Sequence, residues 1–333
     1  MASLLPSVGS AALGCGLRKQ HYSRGTVMKR FLMLGLLCWA ELISAGAYAA
    51  TQNFTLYIDA GTLTINGAGG TVIDVLSFSD GGMAMTSVPG PALSVSEGDA
   101  VNVTVVNRHT ASHNFVVSGV STDATAIAAG ASRTYSFSAP AAGAYVYADT
   151  LNNNINREMG LYGALLVRPA GGGNTAWTGG PAYDFERLWV MGEMDKPRWN
   201  DMVAAGGTVN TSIYKPNYFT MNGLGGFDAM MDMGVMLHGA VGQTALVHIV
   251  NGGQFAHALH FHANHFKVIA INGVRQSEPF QERDTFSVPP FSTAEVLYTL
   301  NKPGDYPMHV HTAQMETANG VYLNGAATMI MAQ

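Results

Sequence analysis

Cysteine and charge are both scarce in this chain. Only Cys15 and Cys38 occur in 333 residues, and Asp, Glu, Lys and Arg together make up 12%. Two cysteines cannot build a disulfide scaffold. A net charge of −5 excludes a basic nucleic-acid binder and gives no attraction to anionic membranes. With 47% hydrophobic residues the chain is not a disordered one. A P-loop, a GxGxxG turn after a strand and a G-x-S-x-G elbow are missing too, so nucleotide and serine-hydrolase chemistry find no support. Abundant instead is glycine, at 39 residues. Few charges and many turn formers point to an all-β protein, and the length allows about two domains of ordinary size.

The apolar run Phe31 to Ala40 (FLMLGLLCWA) is too short for a membrane span, which needs about 20 residues. Met28-Lys29-Arg30 precedes it and Ala47-Tyr48-Ala49, an A-x-A site, follows. Together they read as a secretory signal peptide cut after Ala49, rather than as a buried helix. Residues 1–27 precede a complete signal, so residues 1–49 are set aside as leader. A periplasmic or secreted location without a membrane anchor is expected. Five of the 17 basic and one of the 22 acidic residues lie in this leader, leaving 12 and 21 and a net charge of −9. Both cysteines leave with it. The mature chain has none.

From Gln52 onward, short runs rich in Val, Thr and Tyr alternate with Gly, Pro, Asn and Asp, the pattern of strands and turns. One series covers residues 50–170 and a second covers 181–333. Between them GGGNTAWTGG, residues 171–180, reads as a flexible linker. Two β-sandwich domains are predicted. The halves also match each other. GDAVNVTVVN, Gly98 to Asn107, aligns without gaps to GQTALVHIVN, Gly242 to Asn251, and six residues past each asparagine stands a histidine, His113 or His257. GAYVYADT from Gly143 aligns with GDYPMHVHT from Gly304. Differences between two copies of one design mark where function has diverged.

Ten histidines remain in the mature chain, and six occupy two short segments: His257, His260, His262 and His265, then His309 and His311. Residues i and i+2 of a strand share a face. His260/His262 and His309/His311 can therefore each present two imidazoles to one side, and neighbouring strands would converge four. Imidazole nitrogen suits copper, zinc, iron or nickel. The other reading is a set of solvated or packed polar residues. His109, His238 and His248 have no partner at ligand spacing and are read as structural.

HALHFHANHF resembles the H-P-x-H-L-H-G-H-x-F motif of multicopper oxidases, and MHVHT their H-C-H segment. EMGLYGALLV and NGVYLNGAATMIM are similar to the strands that close their cupredoxin domains. The resemblance spans roughly Phe54 to Ala332 and implies a Greek-key cupredoxin sandwich in each half, with copper as the metal. By position it places His257 on a type 1 ligand and His260, His262, His309 and His311 on ligands of the type 2/type 3 centre. The type 1 cysteine position is Val310. The first half keeps His113 but has Val116, Ser118, Ala148, Asp149 and Thr150 at the other matching positions. In two-domain relatives a neighbouring subunit supplies the facing domain, so the resemblance implies a homotrimer.

Blue copper needs a thiolate, and no cysteine remains after the leader. An oxidoreductase using a histidine-only copper site is expected, with substrate exchanging electrons directly with the metal. The alternative is a non-catalytic copper-sequestering or delivery protein. Met230, Met231, Met233 and Met236, with Asp228 and Asp232, form either a soft Cu(I) patch or ordinary core. Met308 and Met315 flank the second histidine pair and either touch the metal or fill the core. Asp149 and Glu158 are proton-transfer candidates or, on the plainer reading, surface polar residues.

Overall fold

The strand Ala100–Asn107 shows why these segments become sheet. Val101, Val103 and Val105 fall on one face and are almost fully buried, while Asn102 and Thr104 point outward. Each buried valine contributes about 1.5–3 kcal/mol relative to exposure, and a period of two fixes which face that is. The computed structural model describes residues 49–65, 70–81 and 86–333. The expected leader up to Tyr48 lies outside the described residues. Among them, no helix is long and apolar enough to cross a membrane.

The internal repeat extends to whole sheets. In the first half one sheet has the order Thr71–Ser79, Thr51–Ile65, Ala100–Asn107, Ser132–Ser138. The second half matches it with Tyr218–Met221, Phe185–Met194, Thr244–Asn251, Thr293–Thr299. The facing sheets match as well. Leu93–Ser96, Tyr162–Arg168, Gly143–Ala148, Val116–Val117 correspond to Leu237–Gly239, Ala327–Ala332, Gly304–Val310, His257–Phe261. Parallel pairs occur at the same places in both halves: Thr51–Ile65 with Ala100–Asn107, and Phe185–Met194 with Thr244–Asn251. Each half is thus an all-β sandwich of eight corresponding strands. The second half adds strands between residues 266 and 288 that widen one sheet and lay Thr285–Val288 along the edge of the other.

Two asparagines brace the repeat. Asn107 Nδ2 donates to the carbonyls of Ala111, Ile127 and Ala128, and Asn251 Nδ2 to those of Phe255, Val288 and Pro289. Both braces pin the loop that leads to the repeat's shared histidine. Each half has its own core, and a third cluster joins them: Ile73, Val146, Tyr162 and Leu166 pack with Val190, Met194, Tyr218 and Val250. Residues 171–180 are not the loose tether their glycines suggest. Ala176 is buried, and Trp177 packs with it against Leu246, Ile269 and Leu297. Two apolar residues suffice to anchor the segment.

Candidate metal centre

The strand His257–Phe261 alternates strictly: His257, Leu259 and Phe261 are buried, and Ala258 and His260 are partly exposed. Its neighbour Gly304–Val310 buries Met308 and Val310 and leaves His309 on the outer face. The antiparallel register sets His260 directly beside His309 and, on the other side, beside Thr285. His262 follows on the same outer face. One nitrogen each from His260, His262 and His309 lies within 4.8 Å of the others, and the Nε2 atoms of His262 and His309 are 3.2 Å apart. Two nitrogens bound to one ion at about 2.0–2.1 Å in tetrahedral geometry would be separated by roughly that distance. The ring of His311 stands 5.0 Å from that of His260 and 5.8 Å from that of His309, at the exposed rim.

Second partners orient the rings. His309 Nδ1 lies 3.1 Å from Glu316 Oε1, where its N–H donates to the carboxylate, and His260 Nδ1 is 2.8 Å from Thr285 Oγ1. Each contact engages Nδ1 and leaves Nε2 to face the cluster, and the Glu316 carboxylate, which can only accept, sets the tautomer of His309, as the partners of ligating histidines do. Burial, followed by the charges of His260, His309 and His311, lowers the pKa of His262, which favours the neutral imidazole that binds metal. Sequence reading missed Thr285 and Glu316. Glu316 sits only seven residues past His309, whereas Thr285 arrives through the strand register.

Two multicopper oxidase domain families match the chain, one over residues 83–171 and the other over 200–324. The chain belongs to the multicopper oxidase family. A copper-containing nitrite reductase from Alcaligenes xylosoxydans xylosoxydans is 27% identical over 287 residues, 81% of this chain and 84% of that protein. Among solved structures, the multicopper oxidase mgLAC superposes with a TM-score of 0.72 at 24% identity, covering 85% of this chain and 87% of its own. A blue copper oxidase from Nitrosomonas europaea gives 0.71 at 21% identity, covering 85% and 86%. These two likenesses show the cupredoxin fold. The family is one of copper-binding oxidoreductases, copper is the cofactor it indicates, and an all-imidazole donor set fits that ion.

Val310 is the position that the sequence resemblance assigns to a type 1 cysteine. Val310 is fully buried where the thiolate would stand, and Met315 and Met308 join the surrounding core rather than the imidazole cluster. His257 faces that core, opposite to His260, as their three-residue spacing requires. Its Nε2 lies 2.9 Å from Glu193 Oε2, and the same carboxylate accepts the amides of Gln254 and Phe255. A Cβ at Gly253 would come within 2.0 Å of Glu193 Oε2, so only glycine leaves room for this arrangement. His257 Nδ1 is buried without a hydrogen-bond partner.

The first half holds a counterpart. His113 Nδ1 is 2.6 Å from Asp149 Oδ2, and Asn156 donates to the same oxygen at 3.0 Å. His113 Nε2 meets His109 Nδ1 at 2.8 Å, so His109 does have a partner. Asp149 and Glu158 are buried, which corrects the plainer expectation of surface residues. Each carboxyl is hydrogen-bonded within the core. Glu158 pairs with Arg157 at 2.8 Å and accepts from Tyr214. Burial and then the nearby Glu193 push its pKa up to about 8.

The methionine run divides. Met236 is buried, whereas Met231 and Met233 are more than half exposed beside the short helix Phe227–Met231. His265 is exposed in the turn after His262, outside the cluster. His248 lies between Glu295 at 2.7 Å and Glu186 at 3.6 Å. Burial opposes its charge, but the charge and hydrogen bond of Glu295, with the nearby Glu186 carboxylate, outweigh it and raise the pKa to about 9.

Proposed function

We propose that the protein is an exported copper-binding oxidoreductase whose centre is built only from imidazole, with His260, His262 and His309 as ligands and His311 at its rim. The observation that carries this reading is the trio itself: three nitrogens gathered on one sheet face, two of the rings held by Thr285 and Glu316. Copper bound there supplies one-electron exchange. The chain contributes orientation through Glu316 and Thr285, a neutral imidazole at His262, and an open outer face for substrate. His257, expected as a type 1 ligand, is read instead as a structural partner of Glu193.

Export rests on the leader that ends at Ala49, and mass spectrometry of the processed protein tests it. A homotrimer rests on the resemblance to two-domain relatives, in which a neighbouring subunit supplies the domain that faces the histidine-bearing half. Light scattering of the mature protein tests that assembly.

Metal analysis with electron paramagnetic resonance tests the centre. Copper bound through nitrogen, without the narrow parallel hyperfine splitting of a thiolate site, is expected. Unchanged copper binding in H260A/H309A would overturn the assignment. The buried Val310 favours a second reading, a copper-sequestering or delivery protein, because it puts an aliphatic side chain where the resemblance expects the thiolate that relays electrons. Oxygen consumption with phenols or Cu(I), lost in H260A/H309A, supports the oxidoreductase; stoichiometric binding without turnover supports the binder.

A further inference from the structure

The sheet that carries the imidazoles runs on past them. Its order is Leu237–Gly239, Ala327–Ala332, Gly304–Val310, His257–Phe261, Thr285–Val288. Along Ala327–Ala332 the residues Thr328, Ile330 and Ala332 are buried, and Met329 and Met331 are partly exposed on the opposite, outer face. Register places three successive rows on that face. The first is Thr285, His260, His309 and Ala327. The second pairs Pro307 with Met329, and the His262 amide donates to the Pro307 carbonyl. The third sets Met331 between Asp305 and His238.

A solvated face of such a sheet ordinarily carries polar residues. Two consecutive outward methionines depart from that rule beside a histidine cluster. Same-face neighbours across strands have Cβ atoms about 4.5–5.5 Å apart, and diagonal neighbours remain within reach of long side chains. His238 therefore adjoins Met331, and Met329 lies diagonal to His309. Successive rows are about 6.6–6.8 Å apart along the strand. Thioethers select Cu(I), whereas imidazole accepts several borderline metals, Cu(II) among them. The exposed carboxylate of Asp305 adds attraction for a cation.

We propose that Met329, Met331 and His238 form a Cu(I)-selective site on the same sheet face as the imidazole trio, one to two rows away from it. This rests on the copper reading above but assigns a second, chemically distinct position. The soft donors hold reduced copper, and the trio holds either oxidation state.

The test uses the full mature protein, metal-free and anaerobic, titrated with Cu(I) against a bicinchoninate competitor and separately with Cu(II). The variants are M329L/M331L, H238A, M231L/M233L and H260A/H309A. Leucine keeps the apolar volume and removes the sulfur. M329L/M331L is expected to lose one equivalent of Cu(I), or at least tenfold in Cu(I) affinity, with Cu(II) binding unchanged. X-ray absorption should lose its sulfur shell in the same variant. H238A should weaken Cu(I) binding, and M231L/M233L should leave it intact. Retention of the full Cu(I) count and sulfur shell in M329L/M331L overturns the proposal, as does their loss in M231L/M233L instead. Failure of the copper reading looks different: H260A/H309A would then bind Cu(II) as the parent does.

Discussion

The two halves are built on one eight-strand plan, yet their histidines have met different fates. At the shared inward position each half has a buried histidine held by a buried carboxylate: His113 by Asp149, His257 by Glu193. The carboxylates come from different places. Asp149 follows the strand that corresponds to Gly304–Val310 and is the counterpart of Val310, whereas Glu193 belongs to a strand of the other sheet. At the outward positions the first half presents Val116 and Ser118, and the second His260 and His262. The imidazole cluster among the described residues thus stands where the sheet face opens outward. The inward position has become a polar element of the core in both copies.

The comparison can be broken most sharply at the outward face. H260A/H309A is expected to lose copper binding by two orders of magnitude or more while melting close to the parent; H113A should do the opposite, and equilibrium dialysis beside a thermal melt separates them. Next in size are the inward carboxylates. Removing one partner of a buried pair costs about 3–5 kcal/mol, so E193A and D149A should each unfold at markedly lower denaturant with the copper site unaltered in the folded fraction. A smaller loss is expected when an orienting group is removed: E316Q should weaken copper binding by about 10–100-fold, measured by competition with a chelator.

The smallest effects lie in the pH dependence of the buried charges. The folded pKa of His248, about 9, exceeds its unfolded value. Its stabilisation is full below about 6.5 and is lost as pH rises toward 9, on the order of 1–3 kcal/mol. H248Q should flatten that part of a stability profile. Glu158, raised to about 8, also favours the folded state at lower pH. E158Q, which imitates the protonated carboxyl, should therefore gain relative to the parent above pH 8 in denaturant melts.

Much of this was legible in the sequence for definite reasons. The i, i+2 spacing of His260/His262 and of His309/His311 put each pair on one face, and the ungapped match around Asn107 and Asn251 announced the shared plan. The odd spacing from His257 to His260 already implied opposite faces. Glu193 was hidden because its partner lies 64 residues away on another sheet, where no local pattern links the two. The strands between 266 and 288 interrupt the repeat and obscured Thr285. The outward methionines Met329 and Met331 read as an ordinary apolar closing strand until burial separated their face from that of Ile330.

The asparagine braces hold the loops before the shared histidines by contacts that use none of the clustered imidazoles. Asn251 ties together the carbonyls of Phe255, Val288 and Pro289, so the loop before the histidine strand is fastened to the strand beside it, with Glu193 accepting the amides of Gln254 and Phe255 as well. Asn107 does the same in a half that keeps no imidazole cluster. The position of the face and the chemistry it offers are thus set by different residues, and the imidazoles can be exchanged without cutting the ties that hold their strand.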